Sequence, residues 1–299
     1  MKRRAFIKNS SLTAFSIAVY GSIHWNGKIF EGDSITTTDI LGPFYRPGAP
    51  IRSNLVPAAC TAPVMHLSGT IFGTDGKTPL NNVLIESWQC DEQEHYDNTS
   101  DAYLHRGAVR TGKDGKYAFK TIVAVPYKDG DAWRPAHIHL RISSDQFQDL
   151  VTQIYFKGDP HIAGDPSSAA PQSVHRILET KKNASNEVVV KFDVVMGKSF
   201  RLEDAGYKKI TGLYQLKNGM AEFTKEDDLL ILKMNGQYME SMLYKGNNSF
   251  EGGLGFNRAK FELLPNGDVK AAITMWDMGP DNQKYLEKHE GIKILKYGS

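Results

Sequence analysis

Asn-Gly and Asp-Gly steps punctuate this chain at short intervals, and they constrain its fold more than any other feature. The turn signals are Thr74-Asp75-Gly76-Lys77, Lys113-Asp114-Gly115-Lys116, Lys217-Asn218-Gly219, Asn235-Gly236, Gly246-Asn247-Asn248 and Pro265-Asn266-Gly267. Such steps supply the left-handed backbone of a tight hairpin, so each predicts a strand on either side. The expected strands in the first two thirds are 65–72, 82–89, 117–123, 134–143, 150–156 and 187–195. In the second, Val83, Ile85 and Ser87 alternate against Leu84, Glu86 and Trp88, the two-residue period of a strand. Credible helices are few. The fold class is therefore all-β, a β-sandwich domain followed by a small antiparallel β-meander domain.

The domain division follows from where the pattern lapses. Residues 1–26 read as an export signal: Lys2, Arg3, Arg4 and Lys8 precede an apolar segment over 12–23. The arginine pair followed by Phe6-Ile7-Lys8 resembles the twin-arginine signal, and the apolar run is too short for a permanent membrane anchor. An exported protein, periplasmic or extracellular, is expected; without a working signal it would be cytoplasmic. The sandwich occupies 27–197 and opens with an extended arm, 38–50, dense in Pro and Gly. A charged stretch, 198–206, is the linker, and 207–299 form the second β-domain. Its Tyr214, Tyr238, Tyr244, Phe250, Phe256, Phe261 and Trp276 are expected to fill its core. It loosely resembles small C-terminal β-domains appended to bacterial hydrolases.

Charge excludes one class of partner. The formal net charge is +2, but residues 1–27 hold those four cations and no acid, so the remainder carries −2. That leaves no electrostatic footprint for nucleic acid. Cys60 and Cys90 are too few for a disulfide scaffold and have no metal spacing, so two free thiols are expected. Oligomeric state, including a homo-oligomer, is left open.

Chemistry concentrates in Trp133-Arg134-Pro135-Ala136-His137-Ile138-His139. On a strand His137 and His139 share a face while Ile138 points into packing, which makes half a metal site. Tyr96 and Tyr127 are candidate partners, each also readable as a loop aromatic with its hydroxyl in water. His95 and His105 are rivals, also readable as surface histidines, and spacing alone does not choose among them. If the tyrosines join, the metal is Fe(III). A phenol ionises near pH 10, so a phenolate at pH 7 costs about 4 kcal/mol before ligation. Zinc, magnesium and calcium favour other donors, whereas tyrosinate is a known ligand of iron.

A resemblance resolves the choice. Ile85-Glu86-Ser87-Trp88-Gln89-Cys90-Asp91, Tyr96, Thr121-Ile122-Val123-Ala124-Val125-Pro126-Tyr127, the His137 block and Thr152-Gln153-Ile154-Tyr155-Phe156-Lys157-Gly158-Asp159-Pro160 are similar, in order, to the intradiol ring-cleavage dioxygenases. The likeness covers roughly 38–196 and looks nearer the iron-bearing chain of protocatechuate 3,4-dioxygenase than the catechol 1,2-dioxygenases. It implies a non-haem ferric centre held by Tyr96 and His137 equatorially and Tyr127 and His139 axially, with a solvent hydroxide fifth. It further implies that Tyr127 leaves the metal with a substrate proton. Arg134 would stabilise negative charge on the ring and Gln153 would hydrogen-bond near the substrate, although Arg134 also reads as a strand-edge cation and Gln153 as a buried amide. The implied reaction cleaves a catechol with O2 between its two hydroxylated carbons, giving a muconate-type diacid. Two departures bear on the substrate: Glu94 stands where the family commonly has Gly, and Lys128 where the protocatechuate enzymes have Pro or an apolar residue. Ser68-Gly69-Thr70, with 76–80 and 112–119, also resembles transthyretin-like sandwich repeats, which would imply an exported non-catalytic binding module. A zinc hydrolase built on His137 and His139 is the third reading.

Overall fold

The computed structural model describes residues 35–255, 257–278 and 284–296, preceded by two short paired strands, β1 (Ile23–Trp25) and β2 (Phe30–Gly32). The rest of the expected export signal lies outside the described residues, as do Phe256 and the side chain of Trp276. Among the described residues no helix is long and apolar enough to cross a membrane.

The chain is all-β, and its first part is a sandwich. In chain order its strands are β3 (Val64–Phe72), β4 (Leu84–Trp88), β5 (Arg106–Arg110), β6 (Lys116–Ile122), β7 (Tyr127–Asp129), β8 (Ala132–Arg134), β9 (His137–Ser143), β10 (Leu150–Phe156), β11 (Ile177–Leu178), β12 (Lys181–Lys182), β13 (Val188–Lys191) and β14 (Val194–Val195). One sheet runs β11-β10-β9-β4-β5; the other is built on β3, flanked by β6, β13 and β14. Between them lies an apolar core containing Leu67, Ile71, Ile85, Phe119, Ile138, Leu140, Ile154 and Val190. Along β9, Ile138, Leu140 and Ile142 enter that core, which turns His137, His139 and Arg141 to the opposite face.

Two expected strands are broken, each for a local reason. The run 134–143 divides into β8 and β9 at Pro135, which has no N–H for a sheet ladder; β8 pairs back on β7 as a hairpin. The run 187–195 divides into β13 and β14, which meet successive stretches of β3. The alternation read in 82–89 also hides nothing from burial: Ile85, Glu86, Ser87 and Trp88 are all buried. Their second face is covered by the arm and by the C-terminal domain.

The arm crosses that face extended. Asp39 N donates to Val151 O at 2.9 Å, Arg52 N to Ala108 O at 2.9 Å and Leu55 N to Lys120 O at 2.8 Å. Cys60 and Cys90 are free thiols.

The second part is the expected antiparallel meander, and it closes on itself. Helix α1 (Asp204–Ile210), overlapping the end of the expected linker, leads into β15 (Gly212–Leu216), β16 (Met220–Glu226), β17 (Leu229–Met234), β18 (Gln237–Gly246), β19 (Ser249–Glu251), β20 (Arg258–Leu263), β21 (Val269–Met278) and β22 (Lys284–Lys296). These form a closed barrel, because β22 pairs with β15 from Gly212↔Lys296 to Leu216↔Gly291. Closure satisfies the two edges a meander would leave unpaired. Tyr214, Phe250 and Phe261 fill the interior with Phe223. Tyr238 and Tyr244 are only partly buried: Tyr238 meets Tyr45 of the arm edge-on, and Tyr244 stacks on Phe200.

Barrel and sandwich share an apolar cluster of Leu41, Tyr45, Trp88 and Val151 with Leu229 and Ile231. Beside it, buried Arg141 ion-pairs with Glu86 of the sheet and with Glu226 and Asp227 of the barrel.

Candidate metal centre

The sheet register gathers the site. Across β9, His137 faces Tyr155 and His139 faces both Gln153 and Trp88, so side chains from three strands share one face. The β7–β8 hairpin sets Tyr127 opposite Arg134. Tyr96 arrives on the loop after β4, which is tied by Asp91 Oδ1 to the N–H groups of Gln93 and His95, and by Asp97 Oδ1 to those of Thr99 and Ser100. Arg106, buried below that loop, donates to Asp97 O and Asn98 Oδ1. Glu94, where the resemblance expects Gly, takes φ +71°, the backbone for which Gly is the usual choice.

The two imidazoles and two phenols converge. Ring centroids lie 4.9 Å apart for His137 and His139, 5.4 Å for Tyr127 and His137, 5.6 Å for Tyr96 and Tyr127, and 6.1 Å for Tyr96 and His139. The Tyr96 hydroxyl donates to His137 Nε2 at 3.4 Å. His137 Nδ1–H donates to Pro135 O at 2.6 Å, so the Nε2 lone pair points at the cluster. Trp88 stacks on His139 at 4.8 Å, and Phe44 of the arm stacks on Tyr96 at 4.4 Å.

His139 is 1% exposed, and neither of its ring nitrogens has a hydrogen-bond partner. A buried polar group left so costs about 1–3 kcal/mol unless a ligand takes it. Burial, with Arg134 nearby, pushes His137 down to about 3; burial and the neighbouring His137 push His139 well below the ordinary imidazole range. Both rings are therefore neutral, each with one nitrogen lone pair, that of His137 meeting the Tyr96 hydroxyl and that of His139 without a hydrogen-bond partner. Burial also raises Tyr127 to about 12, against the opposing charge of Arg134, and raises Tyr96 well above 10. Neither phenol ionises near neutrality without a cation.

Arg134 and Gln153 sit beside this cluster. Arg134 Nε donates to Asp165 Oδ2 at 2.5 Å and Nη2 to Gln153 Oε1 at 3.0 Å. Gln153 also accepts from the Tyr155 hydroxyl at 3.0 Å and donates to Ile40 O at 2.9 Å. It is thus a buried amide satisfying backbone and, by the same bonds, a brace for Arg134. Asp39 shares that single hydroxyl proton, its Oδ2 lying 2.9 Å from the Tyr155 oxygen, and pairs with buried Arg176. Lys128 projects outward, its ammonium 5.5 Å over the Trp133 ring.

Of the rival histidines, His95 is exposed, whereas His105 is buried, contrary to the surface role expected for it. The charges acting on His105 are those of Asp91, Glu92, Asp97 and Arg52. Tyr127 is buried too, not a loop aromatic in water. Asp165, Asp39, Tyr155, Phe44 and Trp88 had no site role in the sequence reading. Trp88 and Tyr155 stand within the blocks that carry the family resemblance, but only the distant register and loop folding turn all five toward the site.

The donors fit a hard, strongly Lewis-acidic cation. Among the described residues no cluster of three or more His, Cys, Asp and Glu side chains could hold a metal, so the histidine pair lacks zinc-type company. Its neighbours are phenols, which suit ferric iron.

A family model described as Dioxygenase matches residues 40–198. Chlorocatechol 1,2-dioxygenase of Rhodococcus opacus is 35% identical over 158 residues, 45% of this chain and 61% of that protein. The protocatechuate 3,4-dioxygenase beta chain of Burkholderia cepacia is 32% identical over 148 residues, 44% of this chain and 63% of that one. The chain thus spans less than two thirds of either relative. Catechol 1,2-dioxygenase from Pseudomonas arvilla C-1 shares the fold, with a TM-score of 0.51 at 23% identity over 67% of this chain and 70% of that one. The barrel lies outside the matched region.

Proposed function

The chain belongs to the intradiol ring-cleavage dioxygenase family, and on that premise we propose that it is a non-haem Fe(III) enzyme cleaving catechols with O2 between the two hydroxylated carbons. Tyr96, Tyr127, His137 and His139 would hold the ion. The observation that carries this reading is the convergence of those four rings, from three separate segments, around a histidine whose nitrogens have no other partner. The names of the relatives, which act on chlorocatechol and protocatechuate, support a catechol-type substrate.

Bound there, ferric iron would supply the Lewis acidity that draws electron density from a catechol dianion and makes its ring reactive toward dioxygen. The protein's own groups prepare the rest. Pro135 O fixes the His137 tautomer, and Trp88 fixes the plane of His139. Tyr127, set opposite Arg134 on the β7–β8 hairpin, would once ionised take a substrate hydroxyl proton on its Oη. Arg134, oriented by Asp165 and Gln153, presents a fixed cation beside Tyr127 where negative charge develops. Phe44 and Trp88 cover the cluster with apolar surface and keep water from it. Both atoms of O2 end in the two new carboxyl groups of a muconate-type diacid, so no external reductant is consumed.

The amino-terminal pattern supports an exported location. Amino-terminal sequencing of protein from the cell envelope tests that, and an intact Met1 in cytoplasmic protein would refute it. For the activity, protein reconstituted with ferric iron should be wine-red from phenolate-to-iron charge transfer. It should take up O2 with a panel of catechols and yield products heavier by both oxygen atoms. A colourless protein after reconstitution, or ring opening outside the two hydroxylated carbons, would overturn the reading.

A further inference from the structure

The barrel presses on the arm over a short stretch. Glu240 of β18 is fully buried, and its carboxylate leaves the barrel to accept Leu41 N at 3.4 Å, together with Ser241 N at 3.0 Å and Asn257 Nδ2 at 2.6 Å. A side chain on Gly253 would place its Cβ 2.2 Å from the carbonyl carbon of Asp39, so the loop after β19 meets the arm backbone directly. Leu229 and Ile231 of β17 pack on Leu41, Tyr45 and Trp88.

That same stretch of arm touches the candidate centre along its length. Asp39 holds Tyr155 and Arg176, and Ile40 O holds Gln153, which braces Arg134. Gly42, at φ +76°, approaches until a Cβ there would lie 3.4 Å from His139 Cε1. Phe44 stacks on Tyr96, and Tyr45 packs at 5.1 Å on Trp88, which backs His139. The arm has no helix or paired strand of its own between 35 and 50, so what sets its position is what covers its two faces. The sheet covers one and the barrel the other. Leu41 N is buried with the barrel's carboxylate as its acceptor, and leaving such a donor unpaired is costly.

We propose that the C-terminal barrel is a positioning domain for the metal site, with Glu240 and the Gly253 loop clamping arm residues 39–45 against His139, Tyr96 and the Arg134 brace. The assignment of those side chains to a ferric site is the reading given above; the clamp adds a role for a domain outside the family match. Glu240 touches no substrate, and its influence reaches the site through the arm.

The test uses the full chain, metal-free and reconstituted with ferric iron, in five forms: parent, Glu240→Ala, Glu240→Gln, Gly253→Ala and Phe223→Leu. Phe223 lies in the barrel core away from the arm, so its variant loosens the barrel without touching the clamp. In the metal-free protein, amide hydrogen exchange over 39–45 and over the Tyr96 loop should rise at least tenfold in Glu240→Ala and Gly253→Ala, and stay at the parent rate in Phe223→Leu. In the iron form, both clamp variants should surrender iron to a chelator at least tenfold faster and shift the charge-transfer band, while Glu240→Gln, which keeps one acceptor, recovers part of each. Should Glu240→Ala fail to fold, Gly253→Ala reads the same contact. Exchange that rises only within the barrel, or an iron release rate and band equal to the parent in both clamp variants, would overturn the clamp. A parent that binds no ferric iron refutes the iron reading instead, and the exchange data still decide the clamp.

Discussion

Replacing Asp165 with Ala removes the carboxylate that receives Arg134 Nε at 2.5 Å, and the burial of the pair sets the size of the loss. The two side chains are 11% and 1% exposed, so the guanidinium would stay buried with Gln153 Oε1 as a neutral partner. Breaking a buried pair by deleting one member costs about 3–5 kcal/mol. Asp165 Oδ1 also accepts Ser168 N at 2.7 Å, and losing that bond adds about 1 kcal/mol. Together these amount to about 4–6 kcal/mol. At roughly 2–4 °C per kcal/mol, the unfolding midpoint of the sandwich should fall by about 10–20 °C. The penalty is that of an uncompensated charge, so removing the charge as well should relieve it: the double variant Arg134→Met, Asp165→Leu should regain most of the stability while losing ring cleavage. Thermal and urea unfolding of the metal-free parent, single and double variants measures both. An Asp165→Ala variant within about 2 °C of the parent, or a double variant no more stable than the single, would refute the reasoning.

In the iron-loaded protein, Tyr127→Phe should keep a charge-transfer band from Tyr96 but bind catechol at least tenfold more slowly in stopped flow; unchanged binding would deny Tyr127 its proton-accepting role. Gly42→Ala should lower stability by about 1–2 kcal/mol, because an L-residue at φ +76° is strained, and its Cβ would touch His139; a parent-like urea midpoint would argue against that strain. Burial raises the Asp149 carboxyl to about 7 despite the nearby Arg141, so the folded chain keeps a proton that the unfolded chain releases near pH 4. The stability this confers is present below pH 4 and is lost as pH rises to 7. Asp149→Asn should therefore gain on the parent by up to about 1.4 kcal/mol per pH unit across that window, and parallel stability curves from pH 4.5 to 6.5 would count against it.

The sequence by itself determined the all-β class, because Asn-Gly and Asp-Gly turns between alternating runs are local chemistry. It also determined that His137 and His139 share a face, since the two-residue period of a strand needs no knowledge of neighbours. Pro135 is equally local, yet the alternation runs on through it, and only the pairing of β8 back on β7 divides the expected strand into β8 and β9. Tertiary structure alone decided what stands opposite what. The pairing of His139 with Gln153 and Trp88, the reach of Asp165 to Arg134 and the closing of β22 on β15 join residues far apart in the chain. Glu240 against Leu41 spans the two domains, and nothing local distinguishes that glutamate from the barrel's exposed Glu262 and Glu287. Burial of His105, and of both faces of β4, was hidden for the same reason: exposure belongs to the packing of the whole chain, and a residue's type carries only its average.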